Sequence, residues 1–555
     1  MPNLFAKTFL IIVLFLSFAT VIFPQNASLE TNYSEAMKAY NAKDYKVSAE
    51  KFRLVFQSNA KEITNSMKYN GACVFALVGD NEMSLSLLNN LVTNGFYSDY
   101  NHISTDSDLV SLHDHPIWNS LLEKVKINKQ TAPERFKAKV KDELSKAKEI
   151  LTADGGKLWG ESLWNENVLV MDDENNVYSL QKFAEAKSDD GIIFYKKIKE
   201  GELSYTNTTQ QFQGKQWATI RKDYIGNDFS ETVIHELFHL YHSQKIKLKG
   251  LIVEYLDETN GRILLRIEFD ALRNALTKIN EGAEKEIVAK YLEDALLFRQ
   301  LRQRKYAEFL PQALDLENVE GLATYTGVRL SANPNKVSHA IKEIDNRESA
   351  KSLTRSFPYA TGLSYGLIFD YLKINWRSDL AHVYDFLKIY ETKVLRKKLS
   401  KSKIYLGETQ LRNNGKKIIT EEAKREKENA KIENFYRIQF IEEPTLEILL
   451  EKGSGMSVSF DMNSTFSLKG KGVVYTQIKA ANEKGFGSFS TIAGKEGLGV
   501  SGILLSSDFS KITFPKPIKI EENKIIGETY EINLNKGWKV VTINKKGDLQ
   551  IKKID

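Results

Sequence analysis

The pattern of apolar and polar positions divides the chain into helical and strand-rich parts. Residues 31–126 have the periodicity of helices joined by short turns, and a second group of helices extends to about residue 395. Short β-type runs bounded by Asp, Asn and Gly lie at 168–171, 191–195 and 216–220, and β-type alternation resumes from about residue 437. The pattern therefore predicts a multidomain α+β protein.

The N-terminal helical part contains a motif that occurs twice. Residues 39–52 have the spacing Ala-Tyr-x-x-Lys-Asp-Tyr-x-x-Ser-x-x-x-Phe, and a divergent copy begins at Ala76. Lys43 and Gly79 occupy equivalent turns 36 residues apart, close to the roughly 34-residue period of tetratricopeptide repeats. This part resembles such repeats, with a capping helix near 116–121. The resemblance implies a surface for a protein partner, and an ordinary helical pair is the alternative interpretation.

A His-Glu-x-x-His motif follows the strand-rich segment. Residues four apart on a helix lie on one face, so His235 and His239 converge on one point. Two neutral imidazoles suit Zn²⁺, and Glu236 beside them can take a proton from a water activated by the metal. The motif predicts a zinc site with Glu236 as general base.

Catalytic zinc usually has three protein ligands, so a third ligand is required besides the two histidines. The sequence leaves its identity open. The positions three and six residues after His239 are His242 and Lys245, which excludes the metzincin pattern. His242 lies one turn further along the same helix and is predicted to pack beside the site or orient a ligand. The carboxylates of Glu268 and Glu320, on later helices, are the candidates.

Two further segments resemble the gluzincin metallopeptidases of the zinc aminopeptidase and leukotriene hydrolase family. Glu320 begins the sequence Glu-Gly-x-Ala-x-Tyr, and Tyr359 lies in a Pro-Tyr-x-x-Gly segment. The resemblance implies a thermolysin-like zincin domain with Glu320 as third ligand. It also implies that the hydroxyl of Tyr359 stabilises the oxyanion of the reaction, with Tyr365 as the alternative donor.

The chain departs from that family in two respects. The likeness is confined to three short motifs within 231–370, and the interval between His239 and Glu320 is longer than usual, so an extra helical segment must fill it. The Gly-x-Met-Glu-Asn segment with which that family holds a substrate's amino group is missing. Peptide hydrolysis is therefore expected without a defined aminopeptidase specificity.

Composition and the N-terminus bear on location and partners. Hydrophobic residues at 42%, charged residues at 27% and a net charge of +6 with interleaved signs give no indication of a nucleic-acid partner. Lys7 and the apolar run 9–23 predict a signal peptide, with an uncleaved anchor as the alternative. With Cys73 as the single cysteine, no internal disulfide forms. The mature chain is predicted to be periplasmic or secreted, without a membrane span.

These observations predict five segments. They are a signal peptide (1–27), a tetratricopeptide-like helical domain (28–126), a zincin metallopeptidase domain (127–400), a charged linker helix (401–431) and a small β-rich domain (432–555). The predicted function is that of an exported zinc metallopeptidase acting on peptides or proteins. A catalytically degenerate zincin that binds partners through its repeats, and a zinc hydrolase of a non-peptide substrate, are the alternatives.

Overall fold

The computed structural model describes residues 28–57, 62–226, 229–248, 252–378, 380–450, 456–460, 465–468, 470–482, 485–492, 502–506, 508 and 510–554. The predicted signal peptide lies outside these residues. The chain divides into two compact units, Met1–Lys139 and Val140–Asp555. No described helix combines the length and the apolar character needed to cross a membrane.

Helices dominate the first two thirds of the chain and strands the last part. The α-helices are α1 (Ser28–Asn41), α2 (Tyr45–Gln57), α3 (Asn65–Leu77), α4 (Asn81–Thr93), α5 (Tyr100–Thr105), α6 (Trp118–Asp154), α7 (Phe229–Lys245), α8 (Thr259–Asn280), α9 (Lys285–Lys305), α10 (Leu310–Leu316), α11 (Leu322–Leu330), α12 (Lys336–Glu348), α13 (Phe357–Tyr371), α14 (Phe386–Tyr390), α15 (Lys403–Arg412) and α16 (Gly415–Arg437). The strands are β1 (Val168–Met171), β2 (Asn176–Ser179), β3 (Phe194–Lys197), β4 (Thr208–Phe212), β5 (Lys215–Arg221), β6 (Thr445–Leu449), β7 (Ser457–Phe460), β8 (Thr465–Leu468), β9 (Gly472–Tyr475), β10 (Ile478–Asn482), β11 (Gly487–Thr491), β12 (Ile503–Leu505), β13 (Lys511–Pro515), β14 (Lys519–Ile520), β15 (Lys524–Ile526), β16 (Tyr530–Leu534), β17 (Trp538–Thr542) and β18 (Leu549–Lys553).

In the N-terminal unit, two helical hairpins repeat the same geometry. The hydroxyl of Ser48 in α2 donates to a carbonyl of α1 at 2.8 Å, and that of Ser84 in α4 donates to a carbonyl of α3 at 2.7 Å. Lys43 and Gly79, at the two turns, both have left-handed backbone, with φ of 60° and 80°. The described residues thus contain a structural repeat of the predicted 36-residue period, which is compatible with the tetratricopeptide interpretation.

The predicted capping helix near 116–121 is the start of a much longer helix, α6, which continues to Asp154. Pro133 lies inside this helix. Proline removes one backbone donor and can bend a helix without ending it. The division between the two compact units falls after Lys139, within this helix.

The second unit begins with a five-stranded sheet in the order β3-β2-β1-β5-β4. Strands β1 and β5 are parallel, with Val168 opposite Ala218, and the other pairs are antiparallel. The three predicted runs correspond to β1, β3 and β5. The sequence did not indicate β2 and β4, because polar and apolar residues do not alternate clearly in these segments. Strand β5 leads into α7, which packs against it.

Helices α8 and α9 pack side by side and occupy the interval between the His-Glu-x-x-His motif and Glu320. Helices α15 and α16 join them through buried polar contacts: Glu422 pairs with Arg262 at 3.1 Å, and Asn413 donates to Asp294 at 3.0 Å. Glu422 is 1% exposed. The segment 401–431 lies in the second unit. Most of residues 420–431, the part predicted to be solvated, are exposed, and Glu422 anchors this helix to α8.

The C-terminal part is β-rich, as predicted, although it starts later than residue 432 because helical structure continues to Glu442. A six-stranded sheet has the order β14-β15-β16-β11-β10-β7, and a seven-stranded sheet has the order β17-β18-β6-β13-β12-β9-β8. The two sheets share one apolar core, in which Phe489 of the first contacts Phe514 of the second at 5.2 Å between ring centroids. The arrangement is a β-sandwich.

Candidate active site

Helix α7 has the two faces that its sequence predicted. Val233, Ile234, Leu237 and Phe238 are at most 1% exposed and anchor the helix in the core. The imidazoles of His235 and His239 project from another face, and their side chains keep 15% and 18% of their surface exposed. Burial of one face fixes the helix, and the histidines are left accessible at its edge.

The structure brings Glu320 to the two histidines. The Nε2 atoms of His235 and His239 are 3.0 Å apart, and Oε2 of Glu320 lies 3.6 Å and 3.5 Å from them respectively. Burial opposes ionisation of the carboxyl, but hydrogen bonds from both imidazoles hold the pKa of Glu320 well below its usual range. Burial likewise opposes a charge on His239, yet Glu320 raises the pKa of that imidazole.

These spacings fit a tetrahedral zinc ion. Ligand atoms at the usual Zn–N and Zn–O distances of about 2.0–2.2 Å lie roughly 3.3 Å apart around such an ion. The three observed separations, 3.0, 3.5 and 3.6 Å, bracket that value. The donor set of two imidazoles and one carboxylate is that of a catalytic zinc site with a fourth position left for water.

Glu236 adds a buried carboxylate beside the three side chains. It is 5% exposed, and its Oε2 atom has no hydrogen-bond partner among the described residues. Burial raises the pKa of Glu236, although the nearby His235 and His239 act in the opposite direction. A buried oxygen without a partner is rare in folded proteins and calls for a functional explanation. Here the oxygen is free to accept a proton.

A wide helical turn positions Glu320. Residues Glu317–Gly321 form a π-helical turn between α10 and α11. Such turns often mark functional sites because they shift a side chain out of the regular helical register. The turn is held from one side by Arg299 of α9, which pairs with Glu317, and from the other by the hydroxyl of Thr361, which donates to Glu317 at 2.5 Å.

Glu268, the other candidate ligand, does not lie at the histidines. It belongs to a buried ionic cluster with Arg299, Arg302 and Glu317. Its carboxylate pairs with Arg299 at 3.3 Å and with Arg302 at 2.8 Å. Tyr365, the rival oxyanion donor, is fully buried and donates to Glu268 at 3.0 Å. Two arginines and the carboxylates of Glu268 and Glu317 balance one another, so this cluster is structural.

Tyr359 lies at the site. Its ring is parallel to that of His235, with centroids 6.1 Å apart, and the guanidinium of Arg347 lies 4.4 Å from its centroid. Burial, followed by the charge of Glu320 and a hydrogen bond to it, raises the pKa of Tyr359 well above its usual value. The hydroxyl is therefore a neutral donor at physiological pH.

Two other side chains adjoin the histidines. The hydroxyl of Thr324, which the sequence reasoning missed, donates to the Glu320 carbonyl at 2.8 Å and lies 3.5 Å from Nδ1 of His235. Its place four residues after Glu320 was the available signal. His242 is 3% exposed and packs on Phe238, and burial lowers its pKa to about 4. This position matches the packing role predicted for it.

The glycines of the two family-like segments meet each other. A Cβ on Gly362 would lie 2.4 Å from Cα of Gly321, so α13 and the Glu320 turn touch backbone to backbone. Another glycine, Gly327, faces α7, where a Cβ would lie 2.7 Å from the Glu231 carbonyl. Both contacts require the absence of a side chain. The first contact places Tyr359 near Glu320, and the second holds α11, which follows Glu320, against α7.

Replacing Gly362 by Ala is expected to destabilise the second unit by about 1–3 kcal/mol, because the added methyl group overpacks this contact. It is also expected to weaken zinc binding, since Glu320 precedes Gly321. The control is Gly407→Ala in α15, where a Cβ meets no heavy atom within 4 Å and stability should be unchanged or higher. Urea denaturation and zinc titration measure both effects. Equal stability of the two variants would contradict the prediction.

No family model, curated protein or solved structure matches this chain. Its function is therefore inferred from the chemistry of its own residues.

Proposed function

We propose that the chain is a zinc-dependent metallopeptidase of the gluzincin type, with a zincin catalytic domain in its second unit. The supporting observation is the convergence of His235, His239 and Glu320 within zinc-ligand spacing, beside the buried and unpartnered oxygen of Glu236. The three side chains would hold Zn²⁺. When bound, the ion would supply Lewis-acid activation of a water in its open position, lowering the pKa of that water towards neutrality.

Glu236 would carry the proton transfers. Its Oε2 atom accepts a proton from the attacking water and later gives it to the nitrogen of the leaving amine. Its place on α7, directly after His235, puts this carboxylate beside the three clustered side chains. The carboxylate need not break any hydrogen bond to act, because none of the described residues occupies Oε2.

Tyr359 would stabilise the oxyanion that forms on the substrate carbonyl. The Tyr359 ring contacts both His235 and Arg347, so its neutral hydroxyl is pre-oriented, and such donors contribute most when charge develops. Export and recruitment of a protein partner remain predictions of the sequence. The apolar run 9–23 on which export rests lies outside the described residues.

The proposal is tested by incubating the mature protein with a library of quenched fluorescent peptides and with a panel of esters and epoxides. We expect peptide cleavage that is lost on chelation and restored by Zn²⁺. Cleavage of esters or epoxides without cleavage of peptides would show that the protein is a zinc hydrolase of a non-peptide substrate. Zinc binding without any hydrolysis would favour a catalytically inactive binding protein.

Replacing Tyr359 by Phe is expected to lower kcat by about 10²–10³-fold, the usual cost of losing one oxyanion donor. KM should change little, because the ring and its packing remain. Tyr371→Phe is the control: Tyr371 lies on the same helix, α13, and donates to the Ala283 carbonyl at 2.9 Å. An unchanged kcat for Tyr359→Phe would exclude this role.

A further inference from the structure

Thr324 differs from the other side chains around the histidines because it is linked to two of the three proposed zinc ligands. Its hydroxyl donates to the backbone carbonyl of Glu320 at 2.8 Å, and the same oxygen lies 3.5 Å from Nδ1 of His235. The residue is 6% exposed, so water has little access to these contacts. The proposed metal chemistry and proton transfers give this hydroxyl no task.

The direction of the two contacts follows from the chemistry of the hydroxyl. A threonine hydroxyl has one proton and two lone pairs. The proton of Thr324 is directed to the Glu320 carbonyl, which is the nearer of the two partners, so its Oγ1 atom can only accept from the imidazole of His235. The donor is then Nδ1 of His235, and the ring proton lies on that nitrogen.

This tautomer is the one that a zinc ligand of this geometry requires. The Nε2 atoms of His235 and His239 lie within 3.6 Å of Oε2 of Glu320, so His235 would bind the metal through Nε2. A neutral imidazole has one protonated nitrogen and one lone pair, and the hydrogen bond of one nitrogen determines the state of the other. A proton held on Nδ1 by Thr324 leaves the lone pair of Nε2 for the metal.

No second acceptor is available to Nδ1 of His235. Among the described residues, Thr324 is its one hydrogen-bond partner. Histidines that bind metals almost always donate their other N–H to a carboxylate, a backbone carbonyl or water, which fixes the orientation of the ring. Here the acceptor is a hydroxyl that is itself bonded to the backbone of Glu320. Two successive hydrogen bonds therefore join the ring of one ligand to the main chain of another.

A second threonine of α11 separates this role from an ordinary helical contact. The hydroxyl of Thr326 also donates to the carbonyl four residues back, at 2.7 Å, and it accepts from the indole N–H of Trp159 at 3.0 Å. Threonines inside helices form such backbone contacts without any functional role. Thr324 is distinguished by the group from which it accepts, the ring of a proposed ligand. Thr326 thus provides a matched control on the same helix.

We propose that Thr324 is a positioning residue of the zinc centre, which holds His235 in the Nδ1–H tautomer and fixes its ring relative to Glu320. The inference rests on the proposed function, because it requires His235 to be a zinc ligand. Thr324 itself contacts neither the metal nor the substrate. It acts through the two ligands, which it orients before the ion binds.

The test is the zinc affinity of the mature chain, measured by competition with a chromogenic chelator in wild type, Thr324→Val and Thr324→Ser. Valine keeps the shape of threonine without the hydroxyl, and serine keeps the hydroxyl without the methyl group. We expect Thr324→Val to bind zinc about 10–100-fold more weakly, the usual cost of removing such an orienting partner. Thr324→Ser should stay within about threefold of wild type, because its hydroxyl can still accept from the ring and donate to the carbonyl.

Thr326→Val is the control. It should lower the midpoint of urea denaturation, because the buried N–H of Trp159 loses its acceptor, and yet leave zinc affinity close to that of wild type. Wild-type zinc affinity in Thr324→Val, or equal weakening in Thr324→Val and Thr326→Val, would overturn the role of Thr324 and leave the zinc centre intact. Failure of Thr324→Ser to restore the affinity would also overturn it. Wild-type protein that binds no zinc would instead contradict the metal centre, and this role with it.

Discussion

Replacing Glu236 by Gln is expected to lower peptide hydrolysis by about 10²–10⁴-fold, the usual contribution of a general base. The amide has nearly the same shape as the carboxylate but cannot take up the proton of the attacking water. The loss should appear in kcat, because Glu236 is not among the three clustered ligand atoms. Zinc content should therefore stay at the wild-type level.

Glu231→Gln is the matched control for this variant. Glu231 also lies on α7, but its carboxylate pairs with His339 at 3.3 Å rather than adjoining the three ligand atoms. The same change of charge there should alter kcat by no more than about threefold, within the range of an outlying charge. Substantial activity in Glu236→Gln would exclude Glu236 as the base. Equal losses in both variants would point to a general effect on α7.

Replacing Arg299 by Met is expected to destabilise the second unit by about 3–5 kcal/mol, the usual cost of breaking a buried ion pair from one side. Arg299 is 2% exposed and pairs with both Glu268 and Glu317. Without it, two buried carboxylates retain only Arg302 as counter-charge. Because Glu317 lies in the π-helical turn of Glu320, zinc affinity should also fall. Urea denaturation and zinc titration measure the two effects.

Arg329→Met is the control for this variant. Arg329 is 44% exposed in its side chain and pairs with Asp370 at 3.2 Å on the surface. Exposed pairs are worth about 0–1 kcal/mol, so this variant should remain close to the wild type. If Arg299→Met were no less stable than Arg329→Met, the buried cluster would not support the turn of Glu320.

The sequence predicted the parts of the site that depend on local spacing. The histidines and Glu236 follow from the helical period, since residues four apart share a face in any helix. Glu320 and Glu268 could not be separated in this way, because both lie on helices with apolar neighbours. The structure distinguishes them by long-range partners: Arg299 and Arg302 surround Glu268, whereas Glu320 faces the histidines.

The way in which residues 401–431 pack could not be predicted for a related reason. Residues 420–431 are predicted to be solvated because charges of both signs are interleaved there, and most of them are exposed. The partners that bury Glu422 and order α15 lie on α8 and α9, more than 100 residues away in sequence.

The zinc content of the mature protein, measured for wild type, Glu320→Ala and Glu268→Gln, tests the central claim most directly. We expect about one zinc ion per chain in wild type, a loss of that zinc in Glu320→Ala, and retention in the folded fraction of Glu268→Gln. Wild-type protein that binds no zinc would contradict the proposed metal centre. Zinc retained by Glu320→Ala but lost from Glu268→Gln would contradict the ligand set.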